Sequence, residues 1–224
     1  MWPKPHPLKI RNKPIKEGDK IFALCDHGYT YGFLWYSSTQ GVAELSSSAV
    51  LSSTTRTPGL TATSNGVLHL AKSLAFNFRW NLMLDNYFTN VPLFEQLLAL
   101  GIGAGGTTEA GSAGFPSYLK IEKQEAKKML LWGHISGDVI GNICCLIWQD
   151  NSSVLFITSY HDIRKKVERL RRRPKITSSN ATAVRSIFQK ESCKVLPIPE
   201  FIDDYNYNMR AVDIADKLKS YYST

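Results

Sequence analysis

Two short apolar runs in this chain each stop on an aspartate, and that pattern constrains the fold more than any other feature of the sequence. Lys20-Ile21-Phe22-Ala23-Leu24-Cys25 is apolar after its lysine and too short for a helix, so it reads as a buried strand. It ends on Asp26-His27-Gly28, a turn signal, and the aromatic segment 29–36 reads as the return strand of a hairpin. Residues 78–84 form the second run, ending on Asp85. Asn90 with Pro92 then opens a helix through Phe94, Leu97, Leu98 and Leu100, which Gly101 stops. This alternation of strand and helix calls for a mixed α/β layout. Strand ends in such sheets are where ligands and catalytic groups are presented.

The rest of the chain fills in around those two runs. Residues 1–19 carry four prolines (3, 5, 7 and 14) and Lys4, Lys9, Arg11, Lys13 and Lys16, an extended basic lead-in. Residues 37–64 are mostly Ser, Thr and small residues, a loop with at most one edge strand. Ser64-Asn65 caps a helix over Val67, Leu68, Leu70, Ala71, Leu74 and Ala75. A small-residue strand covers 102–107, and the Gly- and Lys-rich stretch 108–128 loops outward. Segments 129–132, 143–148 and 154–159 read as three more strands, with Gln149-Asp150-Asn151 turning between the last two. After the basic run 164–175, Pro197 and Pro199 punctuate the chain. An amphipathic helix then runs from Asp204 or Tyr205 to the end on Met209, Val212, Ile214, Ala215, Leu218 and Tyr222. No internal repeat is present.

Composition narrows the partners. The net charge is +8 and the pI about 9.3, a balance that suits a polyanion, nucleic acid first. No apolar run approaches the ~20 residues that span a bilayer, and the N-terminus lacks a signal-peptide core, so the expected location is inside the cell. The four cysteines, 25, 144, 145 and 193, form no C-x-x-C pair; Cys144 and Cys145 read as small buried hydrophobes. The run 164–175, RKKVERLRRRPK, holds eight Lys or Arg in twelve residues. It reads either as phosphate contacts or a nuclear localisation signal, or as a solvated surface loop, and Pro174 and the charge density argue against burial. Its candidate DNA contacts are Lys165, Lys166, Arg169, Arg171, Arg172, Arg173 and Lys175. Trp35, Trp80, Trp132 and Trp148 lie in apolar segments read as strands and point to core packing. His27 and His161 are lone histidines, more often structural than ligating. Gly103, Gly105 and Gly106 are followed by no Lys-Ser or Lys-Thr, so there is no P-loop.

The acids suggest a specific chemistry. Phosphodiester cleavage by two divalent ions ~3.5–4 Å apart needs carboxylates converging from different elements. Asp26 and Asp85 would supply two. For the third, Asp203, Asp204, Asp213 and Asp216 all lie in the last segment; Asp213 and Asp216 share a helix face at i, i+3. A lone Asp after a strand is usually a turn or cap residue, so spacing alone leaves the question open.

The wording of three segments resembles the piggyBac-type DNA transposases. Asn12-Lys13-Pro14-Ile15, Gly18 and 20–28 resemble the first catalytic segment of that family. Leu84-Asp85-Asn86-Tyr87-Phe88-Thr89-Asn90-Val91-Pro92-Leu93 resembles the second, with its specific D-N-[WY]-F-T core. Tyr205-Asn206-Tyr207-Asn208-Met209-Arg210-Ala211-Val212-Asp213-Ile214-Ala215-Asp216 resembles the third, which usually reads Y-N-x-x-M-G-G-V-D. Ala104–Thr108 with Gly114-Phe115-Pro116, the turn Trp148-Gln149-Asp150-Asn151, and Arg171-Arg172-Arg173-Pro174 add to the likeness, which covers the chain from about residue 10.

The resemblance implies an α/β fold with an RNase H-like DDE/D core interrupted by a β-rich insertion. On that reading 1–19 is the lead-in, 20–110 the first part of the core, 111–197 the insertion with its basic loop, and 198–224 the final catalytic helix. It implies Mg²⁺- or Mn²⁺-dependent cleavage and joining of double-stranded DNA in cut-and-paste transposition, at transposon ends and target. It further implies a homodimer, a nuclear location and no membrane partner. Asp26, Asp85 and Asp213 match the metal-binding and catalytic acids, and Asp216 a nearby metal-binding acid. The chain departs from the family at Arg210-Ala211, where two glycines are usual, and at Glu109, where an arginine is usual. It also ends at Thr224, soon after the third acid, which argues against strand transfer by the chain as given. The alternative reading is a domesticated, non-catalytic DNA-binding or interaction protein that keeps the fold.

Overall fold

The computed structural model describes residues 8–9, 17–18, 20–37, 41–43, 57–75, 77–120, 130–176, 184–219 and 221. The chain divides into two compact units, Met1–Phe78 with Arg210–Thr224, and Arg79–Met209. This division follows different lines from the four segments expected above.

The first unit is built on an antiparallel meander. Strands β1 (Leu8–Lys9) and β2 (Glu17–Gly18) pair within the lead-in. Strands β3 (Lys20–Asp26), β4 (Tyr29–Ser37) and β5 (Gly41–Ala43) form a three-stranded sheet in that order. The β3–β4 hairpin turns on His27 at φ +45° and Gly28 at φ +92°. Two consecutive positive-φ residues match the right-handed twist of the flanking strands, which is why a two-residue loop suffices. The register slips between Leu24 and Cys25, a bulge that leaves Tyr31 as the extra residue of β4. Phe22 and Leu34, opposite each other, are buried. Helix α1 (Ala62–Lys72) packs on the sheet, its Leu70 reaching Gly32. Thr61 caps α1 by accepting from the Ser64 amide at 3.1 Å. The expected cap residues Ser64 and Asn65 instead lie inside the first turn, where Asn65 holds the approach by donating to the carbonyls of Leu60 and Thr61.

The second unit contains a five-stranded mixed sheet in the order β6 (Asn81–Leu84), β7 (Gly103–Thr107), β10 (Ser153–Thr158), β9 (Ile143–Gln149) and β8 (Ile135–Ile140). Only β6 and β7 are parallel, joined by helix α2 (Val91–Ala99) in a β-α-β crossover. Asn90 caps α2 by accepting from the Leu93 amide at 3.0 Å, Pro92 occupies the first turn, and Gly101 at φ +74° follows its end, all as the sequence predicts. A separate two-stranded ribbon pairs β11 (Lys166–Arg172) with β12 (Cys193–Pro199), followed by helices α3 (Glu200–Asn208) and, in the first unit, α4 (Ala211–Lys219). The core gathers Leu146, Trp148, Phe156, Phe188, Leu196, Ile198, Phe201, Ile202 and Tyr205.

Four expectations are corrected. The basic run is a strand and not a loop, and Pro174 is buried, its carbonyl accepting from Arg185. The prolines of β12 hid its partner. The flanking ladder bonds fall on Ser192 and Glu200, so even-numbered residues bond to β11 while Pro197 and Pro199 turn their nitrogens to the free edge. Residues 130–132 are not a strand: a turn closes over 131–134 with β8 following it, so Trp132 is core but not strand; Trp80 likewise precedes β6. The last helix is two helices, broken at Met209-Arg210. Neither Arg210 nor Ala211 has a positive φ, so the loss of the two usual glycines carries no left-handed strain here.

Candidate active site

Asp85 leaves β6 into a turn that the surrounding unit clamps. The carbonyl of Asp85 accepts from the amides of Phe88 (3.0 Å) and Thr89 (3.2 Å) and from the Thr89 hydroxyl (2.9 Å), while its carboxylate Oδ1 accepts from the Asn86 amide at 2.6 Å. Thr89 is 2% exposed. Its own carbonyl receives the hydroxyls of Thr108 (3.1 Å) and Ser112 (2.8 Å), tying the turn to the segment that leaves β7. Gly106 lies beneath: a Cβ there would collide with the Leu84 carbonyl and the Thr89 hydroxyl. Within the D-N-Y-F-T-N stretch, Thr89 thus clamps the turn and Asn90 caps the helix that follows it. The side chain of Asp85 is exposed. Glu109, where the resemblance expects arginine, accepts from the Asn86 side-chain amide at 3.4 Å.

Asp26 ends β3 with its side chain 57% exposed and its Oδ1 2.5 Å from His27 Nδ1. Helix α4 packs against β3 and β4. A Cβ on Gly28 would lie 2.8 Å from Leu218 Cδ1 and 2.9 Å from Ile214 Cγ2, so α4 covers the turn that follows Asp26. Asp213 sits in the first turn of α4, next to Ile214, and both it and Asp216 are exposed. The structure therefore brings the elements of Asp26 and Asp213 together in the first unit, while Asp85 belongs to the second. Among the described residues no three or more His, Cys, Asp or Glu side chains are grouped as ligands for a metal ion. By chemistry each of the four aspartates is an exposed carboxylate, the ligand type that Mg²⁺ and Mn²⁺ take.

The third motif starts in the second unit. Tyr205 on α3 is buried, its hydroxyl 3.1 Å from Thr107 Oγ1 at the end of β7. Two of the other acids of the last segment, Asp203 and Asp204, are engaged here. Asp203 takes a two-point ion pair from Arg169 (2.7 and 2.6 Å), and Asp204 lies 3.4 Å from Nε2 of His161. The His161 ring is almost fully enclosed, bonded at Nδ1 to Thr158 Oγ1 (2.7 Å) and stacked on Tyr160 at 3.8 Å. Burial lowers its pKa, and the nearby carboxylates of Asp204 and Glu200 oppose that only in part.

The basic run is split by its strand geometry. Arg169 and Arg171 point one way, to Asp203 and to Asp150, while Lys165 meets Glu200 at 3.6 Å and Arg164 meets Asp162 at 3.1 Å. Asp150 is a hub, since it also accepts from Trp132 Nε1 at 3.1 Å. Arg173 donates to the Gln189 carbonyl. Lys166, Arg172 and Lys175 are exposed and have no acidic partner among the described residues. Cys145 is fully buried and its thiol is pushed up to about 12 by burial, with Cys144 and Asp138 adding to the rise, which makes it inert packing. No helix among the described residues is long and apolar enough to cross a membrane.

No curated protein sequence matches the chain. A solved piggyBac transposase synaptic complex with hairpin DNA has the same fold, at a TM-score of 0.63 and 20% identity, over 96% of this chain and 37% of that one. This chain thus has the mixed α/β, RNase H-like fold of that transposase and spans 37% of its length. The family model described as Transposase IS4 matches residues 7–224, so the chain belongs to that transposase family, on the piggyBac-type fold.

Proposed function

We propose that this chain is the catalytic core of a cut-and-paste DNA transposase, in which Asp26, Asp85 and Asp213, with Asp216 beside the last, hold Mg²⁺ or Mn²⁺. The substrate is double-stranded DNA at transposon ends and target, handled by a homodimer in the nucleus. The observation that carries the reading is the Asp85 turn: an exposed carboxylate at a strand end, on backbone that Thr89, Thr108 and Ser112 lock, in a chain of transposase family. The metal, when bound, neutralises charge on the attacking and leaving oxygens of the phosphodiester. The protein's part is to hold the carboxylates in place. The Asn86 amide keeps one oxygen of Asp85 oriented, and α4 keeps Asp213 beside the β3–β4 turn. The structure of a related fold with hairpin DNA supports DNA as the partner.

A second reading, a DNA-binding protein without chemistry, draws on a different observation: Lys166, Arg172 and Lys175 stand exposed, have no acidic partner among the described residues, and need no acid triad to bind phosphate. One experiment separates the two. DNA bearing the element's ends is incubated with the protein and Mg²⁺ or Mn²⁺, alongside Asp85→Asn, and both nicking and salt-dependent binding are followed. The catalytic reading expects metal-dependent nicking that Asp85→Asn abolishes. Binding without nicking supports the second reading. In either case Lys166→Ala, Arg172→Ala and Lys175→Ala together should flatten the slope of log K against log salt by about 0.9 for each phosphate that is no longer neutralised.

A further inference from the structure

We propose that Tyr205 is a positioning residue for Asp85: its hydroxyl, joined to Thr107 at the end of β7, fixes α3 to the strand that lies beside β6 and its Asp85 turn. The register places them side by side. Leu84 of β6 pairs with Gly106 of β7, so the next residues along are Asp85 and Thr107. Thr107 bonds Tyr205, and its neighbour Thr108 bonds the carbonyl of Thr89 inside the turn. The two threonines therefore link the helix on one side of β7 to the turn on the other.

Packing alone would be met by a phenylalanine. The Tyr205 ring lies edge-on to Phe156 at 5.8 Å, and Phe156 in turn lies 4.9 Å from Phe201. What a phenylalanine would lack is the hydroxyl, which is directed at β7; a part-buried hydroxyl is best satisfied by a partner, and among the described residues that partner is Thr107. The phenol is also near enough to feel the carboxylate: burial raises its pKa, the Thr107 contact pulls it back, and the charge of Asp85 adds to the rise. The sequence motif begins with this tyrosine, eight positions before its aspartate. The structure assigns the two ends of that motif to different units, with the tyrosine on the side of Asp85.

The metal arm of the test rests on the reading above; the exchange arm does not. Amide hydrogen exchange in Tyr205→Phe should be about tenfold faster at Phe88 and Thr89, whose amides bond the Asp85 carbonyl, and unchanged in β9. Thr107→Val should reproduce this, and Thr107→Ser, which keeps a hydroxyl, should behave as wild type. Mn²⁺ affinity by electron paramagnetic resonance should fall about tenfold in Tyr205→Phe. Wild-type exchange at Phe88 and Thr89 in Tyr205→Phe, or an equal acceleration throughout β9 and β10, overturns the proposal. If Asp85→Asn binds Mn²⁺ as wild type does, the metal reading fails, while exchange still decides the role of Tyr205.

Discussion

Asp26 and Asp85 both end strands, yet their surroundings are opposite in kind. Asp26 sits at a hairpin tip whose shape comes from two positive-φ residues in sequence, and its carboxylate meets its immediate neighbour His27. Asp85 sits on a turn whose shape comes from elsewhere: from Gly106 beneath it and from hydroxyls 19 and 23 residues away from Thr89. The first is a local solution that a few residues write out in full. The second is a tertiary solution, in which a short motif is legible only because so many of its letters are tied down. The same chemical group is thus presented once by backbone conformation and once by packing.

The contrast is broken most directly at the glycines. Gly106→Ala should cost about 3 kcal/mol, because the new methyl meets the Leu84 carbonyl and backbone cannot step aside. Gly28→Ala should cost about 1–2 kcal/mol, for its φ of +92°, since the atoms it meets are the side-chain ends of Leu218 and Ile214. Denaturant midpoints measure both, and equal losses would erase the distinction. A smaller difference is expected at the side chains. Thr89→Val removes a buried hydroxyl donated to the Asp85 carbonyl and should cost about 2 kcal/mol, whereas His27→Ala, at an exposed contact, should stay within about 0.5 kcal/mol. Thermal unfolding of the two variants reads the gap.

The mildest test is pH. His161 lies in the unit of Asp85 and has a folded pKa below its ordinary value, burial being the main cause. The unfolded chain then binds more protons than the folded one as pH falls below about 6.5, so stability drops with falling pH in that window and is restored above it. The groups facing the ring are Asp204 and Glu200, the latter paired with Lys165, together with Thr158 and the ring of Tyr160. His161→Gln should flatten the dependence between about pH 5 and 7. An unchanged slope would place the titrating group elsewhere.

What the sequence reveals follows the same division. The β3–β4 hairpin, the Asn90 cap, the Gly101 stop and the Gln149–Asn151 turn are readable because each depends on neighbours in sequence. The β11–β12 ribbon is not. Its strand looks like a charge run because Arg169 and Arg171 find Asp203 and Asp150 at separations of 34 and 21 residues, and its partner looks like a linker because of two prolines. Of the candidate site, Asp26, Asp85, Asp213 and Asp216 are picked out by motif wording, and all four are exposed. Tyr205 opens a recognised motif, but nothing in its spacing points to Thr107. Nor does spacing tell Arg171, held by Asp150, from Arg172 beside it, which has no acidic partner among the described residues. Strand alternation supplies that distinction once the strand is known.

The bond between Thr107 and Tyr205 closes a separation of 98 residues, and that has a consequence in time. A chain is synthesised from its N-terminus at roughly 5–20 residues per second, so Tyr205 is made on the order of 5–20 s after Thr107. The residues of the β6–α2–β7 crossover, and those that clamp the Asp85 turn, are all made before Tyr205. During the delay the Asp85 turn has the residues for its threonine and glycine contacts but not the helix that steadies it. Completion of the site is therefore ordered by synthesis: every contact of the second motif within β6–Ser112 is available first, and the arrival of the third motif adds the last one.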